Sequence, residues 1–172
     1  GLPNERDVVQ LDACCMHGPK KRAGGVAGLE GVRTPSLVAK AVADYTDHHL
    51  LVGQGAQDFA RNMGFEIEAD LNTDHSRNLW LEWRQRVDPE HYLDPDDRPI
   101  RRRGSRGIDA DGGSGGIGQS LEKHRDLARR GYQAALDMVR EGFIPEHSFW
   151  GTINCNGINA AAEICGVTTT SG

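Results

Sequence analysis

The apolar positions change period along the chain, and each change predicts an element. Val8-Val9-Gln10-Leu11-Asp12-Ala13-Cys14-Cys15-Met16 is a nearly unbroken apolar run that reads as a buried strand, closed by the turn-prone His17-Gly18-Pro19. Ala23-Gly24-Gly25-Val26-Ala27-Gly28-Leu29 is a second run with little side-chain bulk, and its glycines predict the close approach of another backbone. The period then turns helical. Behind Thr34 as N-cap and Pro35 as first helical residue, Leu37, Val38, Ala41, Val42 and Tyr45 fall on one face. His48-His49-Leu50-Leu51-Val52-Gly53 reads as a short strand ended by glycine, with one histidine buried and hydrogen-bonded. A short helix follows from Ala56 to Met63, capped by Gly64. Residues 71–86 predict a third helix with Leu79, Trp80 and Trp83 inward. Residues 119–141 predict a fourth, with Leu121, Leu127, Tyr132, Leu136 and Val139 as its apolar set. Two β-prone runs, 152–158 and 163–170, flank a small-residue turn and read as a hairpin.

Residues 87–118 carry no such pattern. They are rich in Asp, Arg, Pro and Gly and read as a loop or linker. Within them Gly113-Ser114-Gly115-Gly116-Ile117-Gly118 matches the dinucleotide-binding glycine pattern. It lacks the preceding strand that the fingerprint needs, so a linker is the better reading. Arg101, Arg102, Arg103 and Arg106 lie among Asp94, Asp96, Asp97, Asp109 and Asp111, which reads as a self-neutralising solvated loop rather than a phosphate grip.

Composition narrows the function classes. A chain of 172 residues can bury a real core as one domain. The net charge of −5 argues against a general nucleic-acid binder. No apolar run approaches membrane-spanning length, so no membrane partner is expected. The first residue is Gly1 and no signal-peptide pattern follows, so the native N-terminus is expected upstream and the compartment stays open. The four cysteines have no zinc-site spacing, and His48-His49 in a strand point to opposite faces, so no metal is expected. Cys155 and Cys165 are left as buried thiols or a bridge, since strand register decides between them.

The hairpin carries the candidate chemistry. Its first strand opens at Gly151-Thr152, and its second closes in Val167-Thr168-Thr169-Thr170-Ser171-Gly172. Threonines at both strand ends place several hydroxyls at one sheet edge, which suits a threonine nucleophile with hydroxyl neighbours. From the hairpin alone, Thr152 reads equally well as an ordinary β-former.

Gly151-Thr152 with Thr168, Thr170 and Gly172 at these offsets resembles the self-cleaving threonine hydrolases of the glycosylasparaginase and plant-type asparaginase family, which are N-terminal-nucleophile hydrolases. Gly1-Leu2-Pro3-Asn4-Glu5, Leu11-Asp12-Ala13, Met16-His17-Gly18 and Ala23-Gly24-Gly25-Val26 extend the likeness. So does the order of helix, Leu-Leu-Val-Gly strand and Gly-Ala-x-x-Phe-Ala helix, which is closer to the glycosylasparaginase branch. The resemblance implies an α+β fold, the four-layer αββα sandwich, incomplete in this chain. Residues 1–172 would be a partial domain, with 1–151 as the α-subunit portion including the linker 87–118, and 152–172 as the start of the β-subunit portion.

The resemblance also implies self-cleavage between Gly151 and Thr152. Thr152 would then be the N-terminal nucleophile, Thr170 would hydrogen-bond its hydroxyl or amine, and Thr168 would support the nucleophile end of the hairpin. Trp150 departs from the histidine often found there, which bears on the rate of self-cleavage. Ala161-Ala162 replaces the usual glycine-containing turn and is expected to loosen the hairpin. The family's substrate-holding arginine and aspartate and its oxyanion Thr-Gly pair fall beyond Gly172. The implied substrate is a small asparagine-linked molecule, with no cofactor and no nucleic acid. The implied assembly is an α/β heterodimer after cleavage and a homo-oligomer in the full-length form. An isoaspartyl peptidase and L-asparaginase is the alternative within enzymes. An inactive truncated paralogue serving as a binding or structural module is the alternative outside them.

Overall fold

The structure is a computed structural model and describes residues 2–4, 6–87, 117–148 and 151–171. Most of the segment read as a linker, the arginine cluster, Gly113 to Gly116, Trp150 and Gly172 lie outside these residues. The chain forms two compact units, one from Gly1–Asn78 with Trp150–Gly172 and one from Leu79–Phe149.

The first unit is built on a mixed five-stranded sheet. β1 (Gln10–His17) pairs antiparallel with β2 (Arg22–Glu30), and β2 pairs parallel with β3 (Leu51–Val52). On its other edge β1 pairs antiparallel with β5 (Ile164–Ser171), which pairs antiparallel with β4 (Ile153–Ile158). The order is therefore β3-β2-β1-β5-β4. Sheet and helices together fit an α+β class.

α1 (Pro35–Tyr45) and α2 (Gly53–Asn62) pack on the sheet. The core joins Ala13, Val26 and Leu29 of the strands to Val38, Ala39 and Val42 of α1 and Ala56 and Ala60 of α2. The approach of α1 to β2 is close because Gly24 has no side chain. A Cβ there would lie 2.2 Å from the Ala39 carbonyl oxygen and 2.5 Å from the Ala43 nitrogen.

Strand alternation puts Val26 and Leu29 on opposite faces, yet both are buried in one core. A bulge resolves this. Leu11 pairs with Leu29 and Ala13 with Val26, so two residues, Ala27 and Gly28, stand opposite Asp12 alone. Gly28 takes a positive φ of 58° there, and its N–H donates to the Asp12 carboxylate at 2.7 Å. The charged residue inside an apolar strand thus fastens the bulge.

Several elements depart from the sequence pattern. α1 buries Val38, Ala39, Ala41, Val42 and Ala43, whereas Leu37 and Tyr45 point outward at 53% and 72% exposure. Thr34 sits at the cap, but its carbonyl rather than its hydroxyl engages the first turn, accepting from the Leu37 nitrogen at 3.0 Å. Only Leu51–Val52 of the 48–53 stretch pairs as strand, because α2 begins at Gly53. His48 and His49 precede the strand and both are exposed, so neither is the buried histidine expected. α2 ends as expected at Gly64. Its N–H reaches the Arg61 carbonyl and that of Phe65 reaches the Ala60 carbonyl, the paired bonds of a Schellman stop.

The hairpin loop is held differently from the expected loose turn. The Asn159 side-chain oxygen accepts from the Ala161 and Glu163 nitrogens, each at 3.0 Å, and its amide donates to the Glu163 carboxylate at 2.7 Å. Ala162 accommodates this loop at φ 59°. A left-handed alanine costs about 1–2 kcal/mol, and the entropy cost of glycine offsets roughly half of that. Ala162→Gly is therefore expected to raise the thermal midpoint by about 1–4 °C. A lowered midpoint would show that Asn159 already removes the strain.

The second unit contains α4 (Ile117–Arg140) and most of α3 (Asp74–Val87). The Trp83 indole donates to the Gly131 carbonyl at 2.9 Å, and a Cβ on Gly131 would come within 3.0 Å of that ring. The buried stripe of α4 accordingly runs through Gly131, Ala134 and Met138, while Leu127 and Tyr132 of the expected apolar set are exposed. Arg86 bridges Glu82 and Glu141 at the base of this unit. Its hydrogen bond holds the Glu141 carboxyl below the usual carboxylate range.

Candidate active site

Strand alternation sorts the sheet into two faces. Ala13 and Cys15 of β1 lie on the helix-bearing face, and burial pushes the Cys15 thiol up. Asp12 and Cys14 lie on the other. Thr170 pairs directly with Asp12 and Thr168 with Cys14, so both threonines share that second face. On β4, Asn154 is opposite Thr168, and Thr152 precedes Ile153, which is opposite Thr169. Thr152 and Asn154 therefore join the same face.

The side chains meet across the hairpin. The Thr152 hydroxyl donates to the Thr170 hydroxyl at 3.1 Å. One rung along, the Asn154 side-chain amide donates to the Thr168 hydroxyl at 3.0 Å. In the next rung Asn156 lies over Gly166, where an added Cβ would be 2.5 Å from the Asn156 side-chain oxygen. Thr152 and Gly151 are both exposed, as solvent access to a bond or to a nucleophile requires. The intervening Thr169 points to the other face, and its hydroxyl donates to the Asp12 carbonyl at 3.1 Å, tying β5 to β1.

Of the residues expected to form the site, Thr152, Thr170 and Gly151 are thus together. Thr168 is on the same face, with its hydroxyl engaged by Asn154. Asn154 and Asp12 were not anticipated. The signal for Asn154 was the period of two from Thr152, matched on β5 by Thr168 and Thr170. Cys155 stands opposite Val167, and Cys165 opposite Gly157 and His17, so the two cysteines are diagonal neighbours and both are free thiols.

A separate cavity of about 490 Å³ is lined in part by Asp7, Glu30, Glu68 and Asp70. Its carboxylates already have donors. Arg77 bridges Asp7 and Asp70, Arg33 grips Glu68 with two bonds, and Gln10 reaches Glu30. It therefore presents little uncompensated charge, and the hydroxyl-bearing sheet face is the stronger candidate.

Known proteins place the chain. An L-asparaginase-like protein of Drosophila ananassae is 43% identical over 93 residues, covering 54% of this chain and 24% of that protein. A plant-type L-asparaginase of Pyrococcus abyssi is 47% identical over 79 residues, covering 46% of this chain and 26% of that protein. A Drosophila melanogaster protein with the provisional name N(4)-(beta-N-acetylglucosaminyl)-L-asparaginase is 42% identical over 83 residues, covering 48% of this chain and 21% of that protein. The chain spans about a quarter of the length of these curated relatives. The asparaginase family profile matches residues 1–128, three quarters of the chain, and this chain therefore belongs to the asparaginase family.

Proposed function

We propose that the protein containing this chain is a self-processing amidohydrolase of asparagine-type side-chain amides, with Thr152 as its nucleophile. The observation that carries this reading is the 3.1 Å contact between the Thr152 and Thr170 hydroxyls, immediately after Gly151 on an accessible sheet face. Family membership and the names of the relatives support it.

The chemistry explains why the threonine must become terminal. A hydroxyl is a weak nucleophile until a base takes its proton. In the continuous chain the Thr152 nitrogen is an amide and cannot act as base. In the first step the Thr152 oxygen attacks the Gly151 carbonyl carbon, the peptide C–N bond breaks, and the hydroxyl proton passes to the Thr152 nitrogen, which becomes a free amine. Water opens the resulting ester, leaving a Gly151 carboxylate and a terminal Thr152. Glycine at 151 leaves the scissile carbonyl open to approach. An α-amino group has a pKa of about 7.7–8.0, so a useful fraction is neutral near pH 7. It takes the hydroxyl proton as Thr152 attacks the substrate's side-chain carbonyl and returns it to the departing amine. Water then hydrolyses the β-aspartyl ester to aspartate. Thr170, placed to accept from Thr152, orients the attacking oxygen.

In this reading residues 1–151 supply the α subunit and residues 152–172 open the β subunit. The sheet is one of the two in a four-layer αββα sandwich, with the threonine face turned inward. The substrate is N4-(beta-N-acetylglucosaminyl)-L-asparagine, giving aspartate and the glycosylamine. The subunits form an α/β heterodimer that assembles further with its copies. The second reading is an isoaspartyl peptidase and L-asparaginase, and the 47% identity to a plant-type L-asparaginase supports its asparaginase part.

The test is an assay of the full-length protein on GlcNAc-asparagine, β-aspartyl dipeptides and asparagine, with mass spectrometry of the subunits. The expected result is a cut before Thr152 and the highest kcat/KM on GlcNAc-asparagine. That kcat/KM should fall about tenfold per pH unit below the α-amino pKa, because the protonated amine cannot accept the hydroxyl proton. Preference for β-aspartyl dipeptides or asparagine would select the second reading. A cut protein inactive on all three would overturn the amidohydrolase assignment.

A further inference from the structure

We propose that Asn154 is a positioning residue that holds Thr152 in place through Thr168 once the chain has been cut. The inference rests on the nucleophile reading above. Before cleavage, Thr152 is anchored by the chain on both sides. Afterwards it is a terminus, and chain termini fray unless something ties them down. Besides the backbone ladder between β4 and β5, a pair of side-chain rungs on the site face ties down the start of this strand. One is Thr152 to Thr170 at 3.1 Å, and the other is Asn154 to Thr168 at 3.0 Å.

The first rung cannot hold the nucleophile throughout turnover, because the Thr152 hydroxyl gives up its proton and forms the ester. The Asn154 rung takes no part in the chemistry and persists. It lies across the same two strands and on the same face. Register places it next to the Thr152 rung, with only the Ile153–Thr169 pair between them. Cross-strand pairs of this kind contribute about 0.2–1 kcal/mol, up to roughly fivefold in the population of the paired state. Misplacement of a reacting atom by about 1 Å lowers turnover further.

The experiment compares Asn154→Ala, Thr168→Val and the double variant with Asn154→Thr in the full-length protein, using mass spectrometry of the cut and steady-state kinetics on GlcNAc-asparagine. Asn154→Ala should still be cut at Gly151–Thr152, with kcat about fivefold lower and KM within about twofold of the parent. Adding Asn154→Ala to Thr168→Val should cost nothing more, since the shared bond is already gone. Asn154→Thr, which restores a cross-strand hydroxyl pair, should recover kcat to within about twofold. An unchanged kcat in Asn154→Ala, additive losses in the double variant, or loss of the cut itself would overturn the proposal. Thr152→Ala in the same series separates the two readings. If it stays active, the nucleophile assignment fails; if it is inactive while Asn154→Ala matches the parent, only the role of Asn154 fails.

Discussion

Thr152→Ala in the full-length protein is expected to abolish both the cut before residue 152 and the hydrolysis of GlcNAc-asparagine. The loss of turnover should be on the order of 10⁴-fold or more, the scale seen when a nucleophile is removed from a catalytic unit. The neighbouring hydroxyl offers no substitute, although Thr170 lies only 3.1 Å away. Thr170 sits inside β5, paired with Asp12 of β1, so its nitrogen remains a peptide amide in every state of the chain. It has no base on its own residue and no adjacent bond whose cleavage would create one. Thr152→Cys isolates the first step from the second. A thiol is the stronger nucleophile and needs less help from a base, so this variant should retain the cut. Mass spectrometry of the intact subunits reads the cut directly. Efficient cleavage of the alanine variant would sink self-processing by residue 152, even if the mature protein proved to be an amidase.

The hairpin, the two N-terminal strands and the helices were legible because period and punctuation agreed. Val8 to Met16 and the glycine-rich run to Leu29 read as strands, and Pro35 and Gly64 mark a helix start and a helix stop. The inward faces of α1 and α4 were legible only in part: Val38, Ala41 and Val42 of the expected α1 set are buried, and the misses on both helices have the same physical reason. Hydrophobic pattern assigns the largest apolar side chains to the interior. Here the closest contacts are made where side chains are small. α1 meets the backbone of Gly24 through Ala39 and Ala43, leaving Leu37 and Tyr45 outside. α4 meets the Trp83 ring at Gly131, leaving Leu127 and Tyr132 outside. The candidate site was legible as a set of threonines, since Gly151-Thr152 and the closing threonine cluster stand out in sequence. Its geometry was not, because register is a property of the paired strands. Register makes Thr168 the partner of Asn154, and it sets Cys155 and Cys165 diagonally.

The same close approach yields the largest expected effect on stability. Gly24→Ala places a methyl group 2.2 Å from the Ala39 carbonyl oxygen, 2.5 Å from the Ala43 nitrogen and 2.9 Å from the Ala43 Cβ. Two of these are backbone atoms of α1, so no rotamer change relieves the overlap. The helix must move away from the sheet, and Val38 and Val42, fully buried on that helix, must move with it. Overpacking of this kind costs about 3 kcal/mol, a fall in thermal midpoint of roughly 6–12 °C for a chain of this length. Gly25→Ala is the control, one residue along and facing the opposite way. Its nearest neighbour is the Leu50 Cδ1 at 3.2 Å, at the end of a side chain that is 56% exposed and free to turn. Alanine also loses less backbone entropy than glycine in a strand. Gly25→Ala should therefore leave the midpoint within about 2 °C. Equal shifts in the two variants would mean that α1 can withdraw from β2 at little cost. The sheet, with the threonine face on its far side, would then be held chiefly by its strand ladders rather than by the helix packed against Gly24.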